Sequence, residues 1–350
     1  MQAKTVVADF EEWREAAAEA VEVLKNGELV ALPTETVYGL AADVTNADAV
    51  AKIFEVKERP HFDPLIVHIG KMPQLTEVVS IPEALQPLVQ QLADEFWPGP
   101  LTLILPKTEK VPDLVTSGLD TVAVRMSAHE VMREVAKTVP VAAPSANRFG
   151  RISPTSATAV ATELGEKIPL IIDGGACRDG IESTIVRPEL DGNKPVLRLL
   201  RPGPITKEDL RKFAKVLKPK GTKSDHAEAP SDAETTASGL PAPGLLDSHY
   251  APATPLRLID KDETFEPEEG KSYALLSYRA EGRGSLVDAT DWKAIEVLSP
   301  GKGKLTEAGV RLFHCLRNLD ESGADEIIAE PVSETGIGIA IMDRLRKAAH

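Results

Sequence analysis

Residues 29–43 read LVALPTETVYGLAAD. An apolar run here stops at Pro33 in a turn rich in hydroxyls. A strand that ends this way sets donor-and-acceptor side chains at the edge of a core. Thr34 and Thr36 either hold a small polar substrate or satisfy the turn's own backbone. Upstream, Asp9 is placed to cap a helix that Gly27 ends, with Trp13, Ala17, Val21 and Leu24 on one face. Downstream, a second helix over about 47–56 must stop before Pro60, because proline disfavours helical geometry at Arg59. PLIVHI, LTLILP, TVAVRM, VPVAAP, PLIID, STIVR and VLRLL follow as short, largely β-branched strands. Helices are expected between them at about 82–95, 128–138, 155–164 and 206–217. Strands with scattered helices predict one mixed α/β domain over residues 1–217.

From Lys218 to about Gly244 the chain turns polar and rich in Ala, Ser, Pro and Gly, the composition of a flexible linker. PLRLI, YALLSY and AIEVL then read as strands, followed by a helix over 306–319, the strand EIIAEPV and a last helix over 338–349. This alternation predicts a smaller, mainly parallel sheet over residues 254–350, with residues 218–253 as the connection.

At 350 residues the chain exceeds what one core usually supports, and 42% hydrophobic residues suffice for two. The net charge of −14 opposes tight, nonspecific binding to a polyphosphate, so a nucleotide site must gather Lys and Arg locally. Cys177 and Cys315 form neither a disulfide framework nor a C-x-x-C, which fits a reducing, cytoplasmic setting. The N-terminus MQAKTVVADFEEW has no apolar signal core, and no stretch has the length of a membrane span.

Walker, H-E-x-x-H and G-x-S-x-G motifs are missing from the sequence. Lys57 and Arg59 stand two apart at a helix end, where an ammonium beside a bidentate guanidinium suits phosphates. The same cations could simply complement the helix dipole. Ser145 and Asn147, in APSANRFGRISPTS, sit at a strand-to-helix junction able to hold phosphate or adenine, or to form an Asx turn and cap. His68 ends a strand alone. Arg125 shares a strand face with Ala123 and needs a partner, for which a carboxylate ligand would serve. Ser183 follows a glycine-rich loop, and Arg198 and Arg201 flank VLRLLRPG.

PTETVYGLAAD, KERPHFDPLIVHI, FWPGPLTLIL, TVAVRM, APSANRFGRISPT and DGG-x5-GIESTIV, in that order, resemble the YrdC-type domain of threonylcarbamoyl-AMP synthases. APGLLDSHYAP and GIGIAIMDRLRKAA resemble the two-domain form of that family. The resemblance implies a twisted mixed sheet with a concave cavity and a Rossmann-like C-terminal domain, joined by a linker across the cavity mouth. It implies synthesis of threonylcarbamoyl-adenylate from L-threonine, bicarbonate and ATP with Mg²⁺ and no organic cofactor. The product would pass to a tRNA threonylcarbamoyl transferase complex. Lys57, Arg59, Asp63, Ser145, Asn147, Ser153, Arg198 and Tyr250 would contact ATP. Thr36, His68, Arg125 and Ser183 would grip threonine, and His249 with Tyr250 would cover the adenylate. Three positions depart from the family pattern. Asp63 stands where asparagine is usual, Leu245 to Ser248 replace a more cationic lid (Asp247 among them), and Asp343 replaces an asparagine in the last helix. A nonenzymatic RNA-binding module is the alternative; the −14 charge argues against it and against tight direct nucleic-acid binding.

Overall fold

The structure, a computed structural model, describes residues 2–9, 12–218, 240, 242–246, 248–260, 263–280, 286–301 and 303–350. Most of the segment expected as a flexible linker, and Asp247, therefore lie outside the described residues. Eleven described strands form one mixed sheet: β1 (Lys4–Val7), β2 (Val30–Leu32), β3 (Gly39–Asp43), β4 (Ile66–His68), β5 (Leu101–Pro106), β6 (Thr121–Arg125), β7 (Val141–Ala142), β8 (Leu170–Asp173), β9 (Thr184–Asp191), β10 (Lys194–Arg201) and β11 (Lys215–Leu217). Their spatial order is β1-β8-β2-β3-β7-β4-β6-β5-β9-β10-β11. A second sheet holds β12 (Leu256–Leu258), β13 (Tyr273–Ser277), β14 (Ala294–Val297) and β15 (Glu326–Ala329) in the order β12-β15-β13-β14, with every pair parallel.

The helices explain where a cavity can form. The helix Trp13–Lys25 buries Ala16, Ala17, Ala20, Val21 and Leu24, an i, i+3/i+4 stripe, and Gly27 beyond its end takes φ +74°. With the helix Glu130–Thr138 it covers one face of the sheet at β2, β3, β7 and β8. The opposite face packs against the helices Ala47–Lys57, Gln86–Phe96 and Ala157–Leu164. Across the middle strands no helix among the described residues covers the first face. There Ile66, Ile104, Ala123, Ile185 and Leu200 meet Ala242 and Leu245 of the connecting segment instead. The second sheet's core, with the helices Leu305–Asp320 and Gly338–Ala348, also takes in Val37, Ile152, Ile181 and Tyr250, so the two parts are packed together around this concavity.

Two expectations change. The turn after Pro33 continues into β3, whose residues pair antiparallel with β2, because Leu40, Ala41 and Ala42 are all buried between helical layers. The helix expected over 206–217 is a single turn, Lys207–Leu210, capped by Thr206, whose side chain accepts the Asp209 N–H at 3.2 Å. The chain then extends and β11 pairs parallel with β10, satisfying an edge that a helix would leave open.

Gly70, just beyond β4, has no room for a side chain. A Cβ there would lie 2.2 Å from the Lys137 nitrogen and 2.4 Å from the Arg133 oxygen. Gly70→Ala is therefore expected to lower the unfolding free energy by about 2–3 kcal/mol through overpacking against that helix. Chemical denaturation reads this directly, and an unchanged midpoint would contradict the close approach.

Candidate active site

Strands β4 and β6 run parallel with His68 opposite Arg125, and both side chains face the helix-free concavity. The cavity measures about 50 Å³ and has contributions from the β2–β3 turn, both these strands, the Ser145 loop, Glu182, Ser183 and Arg201, and the connecting segment at Pro243, Gly244, His249 and Tyr250. His68 is buried, and its Nδ1 has no hydrogen-bond partner. Burial, then the charge of Arg125, pushes its pKa down to about 3, so the imidazole is neutral at pH 7.

The threonines divide the two roles left open. Thr34 Oγ1 donates to the Val37 oxygen at 2.6 Å and accepts from the Thr36 and Val37 N–H groups at 3.1 Å, so it builds the turn. Thr36 Oγ1 accepts from Arg125 Nη1 at 2.9 Å, so it belongs to the site. Arg125 does not wait for a ligand carboxylate to balance it. Glu35, the residue between the threonines, forms a 2.7 Å ion pair with it and accepts from Ser127 Oγ at 2.5 Å. Burial alone would raise the Glu35 pKa; the Arg125 charge and these hydrogen bonds outweigh it and hold the carboxyl at about 2.

Lys57 is 1% exposed and points at the loop rather than the cavity wall. Its ammonium donates to the Ser145 oxygen at 2.6 Å and to the Asn147 oxygen, and burial followed by the nearby Arg59 charge depresses its pKa well below the usual lysine value. Asn147 Nδ2 donates to the Arg148 and Arg151 carbonyls at 2.7 and 2.8 Å, while its side-chain oxygen Oδ1 is buried without a partner among the described residues. The S-A-N loop is thus shaped by a buried cation and an amide. Arg59 does line the cavity, and it donates to the Asp63 and Pro64 carbonyls at 3.0 and 2.8 Å. Its guanidinium lies 2.9 Å from the fully buried Asp63 carboxylate, the neutralisation that an aspartate at this position requires. Burial raises Asp63 against the attraction of Arg59, while a guanidinium stays protonated.

Ser183 Oγ shares a 2.8 Å hydrogen bond with Thr102 and accepts from Arg201 at 3.1 Å. Ser153 does not reach into open space; its hydroxyl donates to Glu182 at 2.5 Å. Arg198, expected at the nucleotide, is held by Glu189 on the neighbouring strand and by the Lys218 carbonyl at 2.7 Å, away from the cavity wall. A register shift between Leu199 and Arg201 re-aims the end of β10, and Arg201 is the arginine of that strand which reaches the cavity. Arg201 donates to the Ser183 and Pro243 carbonyls, and no carboxylate among the described residues lies within ion-pair distance of it.

The cavity roof comes from His249 and Tyr250. Both are buried, with ring centroids 4.1 Å apart, and Tyr250 takes a left-handed φ of 66°. Burial, then Arg59 and Lys57, keeps His249 well below the usual histidine pKa. Lys347 from the last helix donates to the Gly244 carbonyl at 2.9 Å, and its own carbonyl accepts the His249 N–H at 3.2 Å. A cation does reach this segment, from the C-terminal helix rather than from the segment itself. Asp343 accepts from Arg344 and Lys347, both at 3.1 Å, so its charge is balanced within that helix.

The family model for Sua5, YciO and YrdC proteins, described as telomere recombination, matches residues 22–203, and one described as the threonylcarbamoyl-AMP synthase C-terminal domain matches residues 205–350. A curated threonylcarbamoyl-AMP synthase of Pyrococcus abyssi is 41% identical over 346 residues, 97% of this chain and 95% of that protein. The chain belongs to the threonylcarbamoyl-AMP synthase family. The Bacillus subtilis family member is 40% identical, with 95% of this chain and 92% of that protein covered. The crystal structure of P. abyssi Sua5 complexed with L-threonine superposes with a TM-score of 0.80 at 37% identity, covering 100% of this chain and 98% of that one.

Sequence reasoning did not assign Glu182 and Arg201, which line the cavity, nor Glu35, which pairs with Arg125 behind it, nor Lys347, which holds the roof segment. Arg201 was within reach of it, because the strand carried two arginines and only pairing could separate them. The account of Glu35 carries a pH signature. A carboxyl at about 2 in the folded chain and 4.5 otherwise contributes roughly 3 kcal/mol above pH 4.5, lost as pH falls toward 2. Glu35→Gln is therefore expected to be less stable at pH 7 by about 3 kcal/mol, with the gap to the parent closing below pH 4.5. Urea unfolding across that range checks this, and a gap independent of pH would refute the pairing.

Proposed function

We propose that this cavity makes threonylcarbamoyl-AMP, a nucleotidyl transfer, from L-threonine, bicarbonate and ATP. The observation that carries the proposal is Arg201, a buried cavity cation held among the described residues by neutral groups, beside Arg59 on the same wall. An anionic ligand is the natural complement of such a wall. Threonine fits the other end, where Thr36, Arg125, neutral His68 and Ser183 offer hydroxyls, a guanidinium and an imidazole acceptor. Family membership supports both assignments.

The neutral amine of threonine bonds to the carbon of CO₂, derived from bicarbonate, and loses a proton, giving a carbamate. A carbamate oxygen then bonds to the α-phosphorus of ATP, and the bond to the bridging oxygen of the β-phosphate breaks, so pyrophosphate leaves. The nucleophile is already an anion, so this step asks for positioning and charge stabilisation rather than a strong base. Arg59 and Arg201 serve the phosphates. Lys57, Ser145 and Asn147 form the nucleotide loop, with Lys57 acting through the two carbonyls it holds. Among the described residues no cluster of three or more His, Cys, Asp or Glu could hold a metal, and Asp63, Glu35 and Glu182 are each tied to an arginine. In this proposal Mg²⁺ enters as part of the substrate MgATP.

The cavity of about 50 Å³ is well below the several hundred Å³ of a typical ligand site, so the His249–Tyr250 roof moves for the nucleotide to enter and then excludes water from the mixed anhydride. No described helix is long and apolar enough to cross a membrane. The proposal places the enzyme in the cytoplasm, where the adenylate passes to a tRNA threonylcarbamoyl transferase complex, without tight tRNA binding of its own.

Incubation with threonine, bicarbonate, Mg²⁺ and ATP should yield threonylcarbamoyl-adenylate by mass spectrometry and stoichiometric pyrophosphate. Arg59→Ala and Lys57→Ala are each expected to reduce threonine-dependent pyrophosphate release by about 10²-fold or more while folding is retained. Near-parent turnover in both variants would defeat the assignment.

A further inference from the structure

The last helix sends one arginine wholly into the interior. Arg344 is 0% exposed, the largest fully buried side chain among the described residues. Its Nε donates to Glu182 at 3.1 Å and its Nη1 donates to the Pro202 carbonyl at 2.6 Å. Glu182 lines the cavity, and its other oxygen accepts from Ser153. Arg344 therefore ties together two short segments of the first sheet's domain, the one entering β9 and the one leaving β10. These are the segments that carry Ser183 and Arg201. Their backbones are already in contact, since a Cβ on Gly203 would lie 2.5 Å from the Thr184 nitrogen and 2.7 Å from the Glu182 oxygen.

The chemistry of this contact matters for an anion site. An ionised carboxylate on the wall of a cavity that receives a triphosphate repels it unless a cation neutralises the carboxylate. Among the described residues Arg201 has no carboxylate within ion-pair distance, and Arg59 and Arg125 are committed to Asp63 and Glu35. The cation paired with Glu182 is Arg344, which also lies 3.1 Å from Asp343 of its own helix, and it comes from the second sheet's domain.

We infer that Arg344 is a positioning residue for nucleotide binding. It neutralises Glu182 and brackets the Ser183 and Arg201 segments, so the C-terminal domain sets the nucleotide affinity of a cavity whose arginines belong to the other domain. The inference rests on the reading of the cavity as an ATP site. It differs from general stabilisation in acting on ATP more than on threonine, and in depending on the charge of Glu182.

The test is steady-state pyrophosphate release by the full-length chain, with ATP and L-threonine varied separately and thermal midpoints recorded. Arg344→Ala should raise KM for ATP about tenfold or more, with KM for threonine changed less than about threefold. Adding Glu182→Gln to that variant should recover most of the loss, because it removes the uncompensated charge. If the alanine variant fails to fold, Arg344→Lys takes its place. Lysine keeps the charge but loses the two-sided bracket, and it should still raise KM for ATP selectively, by about threefold or more. An unchanged KM for ATP, an equal rise for both substrates, or no recovery with Glu182→Gln overturns the inference and leaves the assigned reaction standing. A parent protein without threonine-dependent pyrophosphate release overturns the reaction and takes the inference with it.

Discussion

Full positive charges buried in a protein interior have to be matched, and the middle of this molecule is organised by how each match is made. Arg59 faces Asp63, Arg125 faces Glu35, and Arg344 faces Glu182. Lys57 is matched by two loop carbonyls, and Arg201 by carbonyls and a hydroxyl. Breaking a buried pair by removing one partner costs several kcal/mol, so these contacts fix the loops that carry them. They also leave the cavity with a local excess of positive charge at Arg201, in a chain whose net charge is −14. That excess is the ground on which we propose an anionic ligand for the site.

The placement of the cavity follows from the helices. One half of the sheet is sandwiched on both faces, while the middle strands are covered on one face only. Apolar residues on the uncovered face would be exposed if the connecting segment and the C-terminal domain did not close over them. The closure brings Leu245 onto Ile66 and its neighbours, and it places His249 and Tyr250 over the polar end. Lys347 and Arg344, three residues apart on one helix, reach the roof and the wall respectively. The second domain is thus part of the site's architecture, although the reacting groups are expected to meet the first.

Much of this was legible in the sequence because it rested on short-range patterns. The helix stop before Pro60, the β-branched strands at PLIVHI and TVAVR, and the parallel alternation after residue 254 all follow from local chemistry. The segment 206–217 was misread because its apolar residues suit a helix locally, whereas the free edge of β10 recruits Lys215–Leu217 as a strand. Ion pairing was the other blind spot. Nothing local distinguishes Arg198, bound by a cross-strand glutamate, from Arg201, three residues on and facing the cavity after a shift in register. Glu35 was equally silent, since its partner lies ninety positions away.

A crystal structure of the chain with L-threonine, Mg²⁺ and a nonhydrolysable ATP analogue is the most direct measurement of the central claim. The account predicts nucleotide phosphates against Arg59 and Arg201, the threonine carboxylate near Arg125 and Thr36, and His249 with Tyr250 displaced outward to admit them. A nucleotide bound elsewhere, with Arg201 still on the Ser183 carbonyl and hydroxyl and the Pro243 carbonyl, would contradict it.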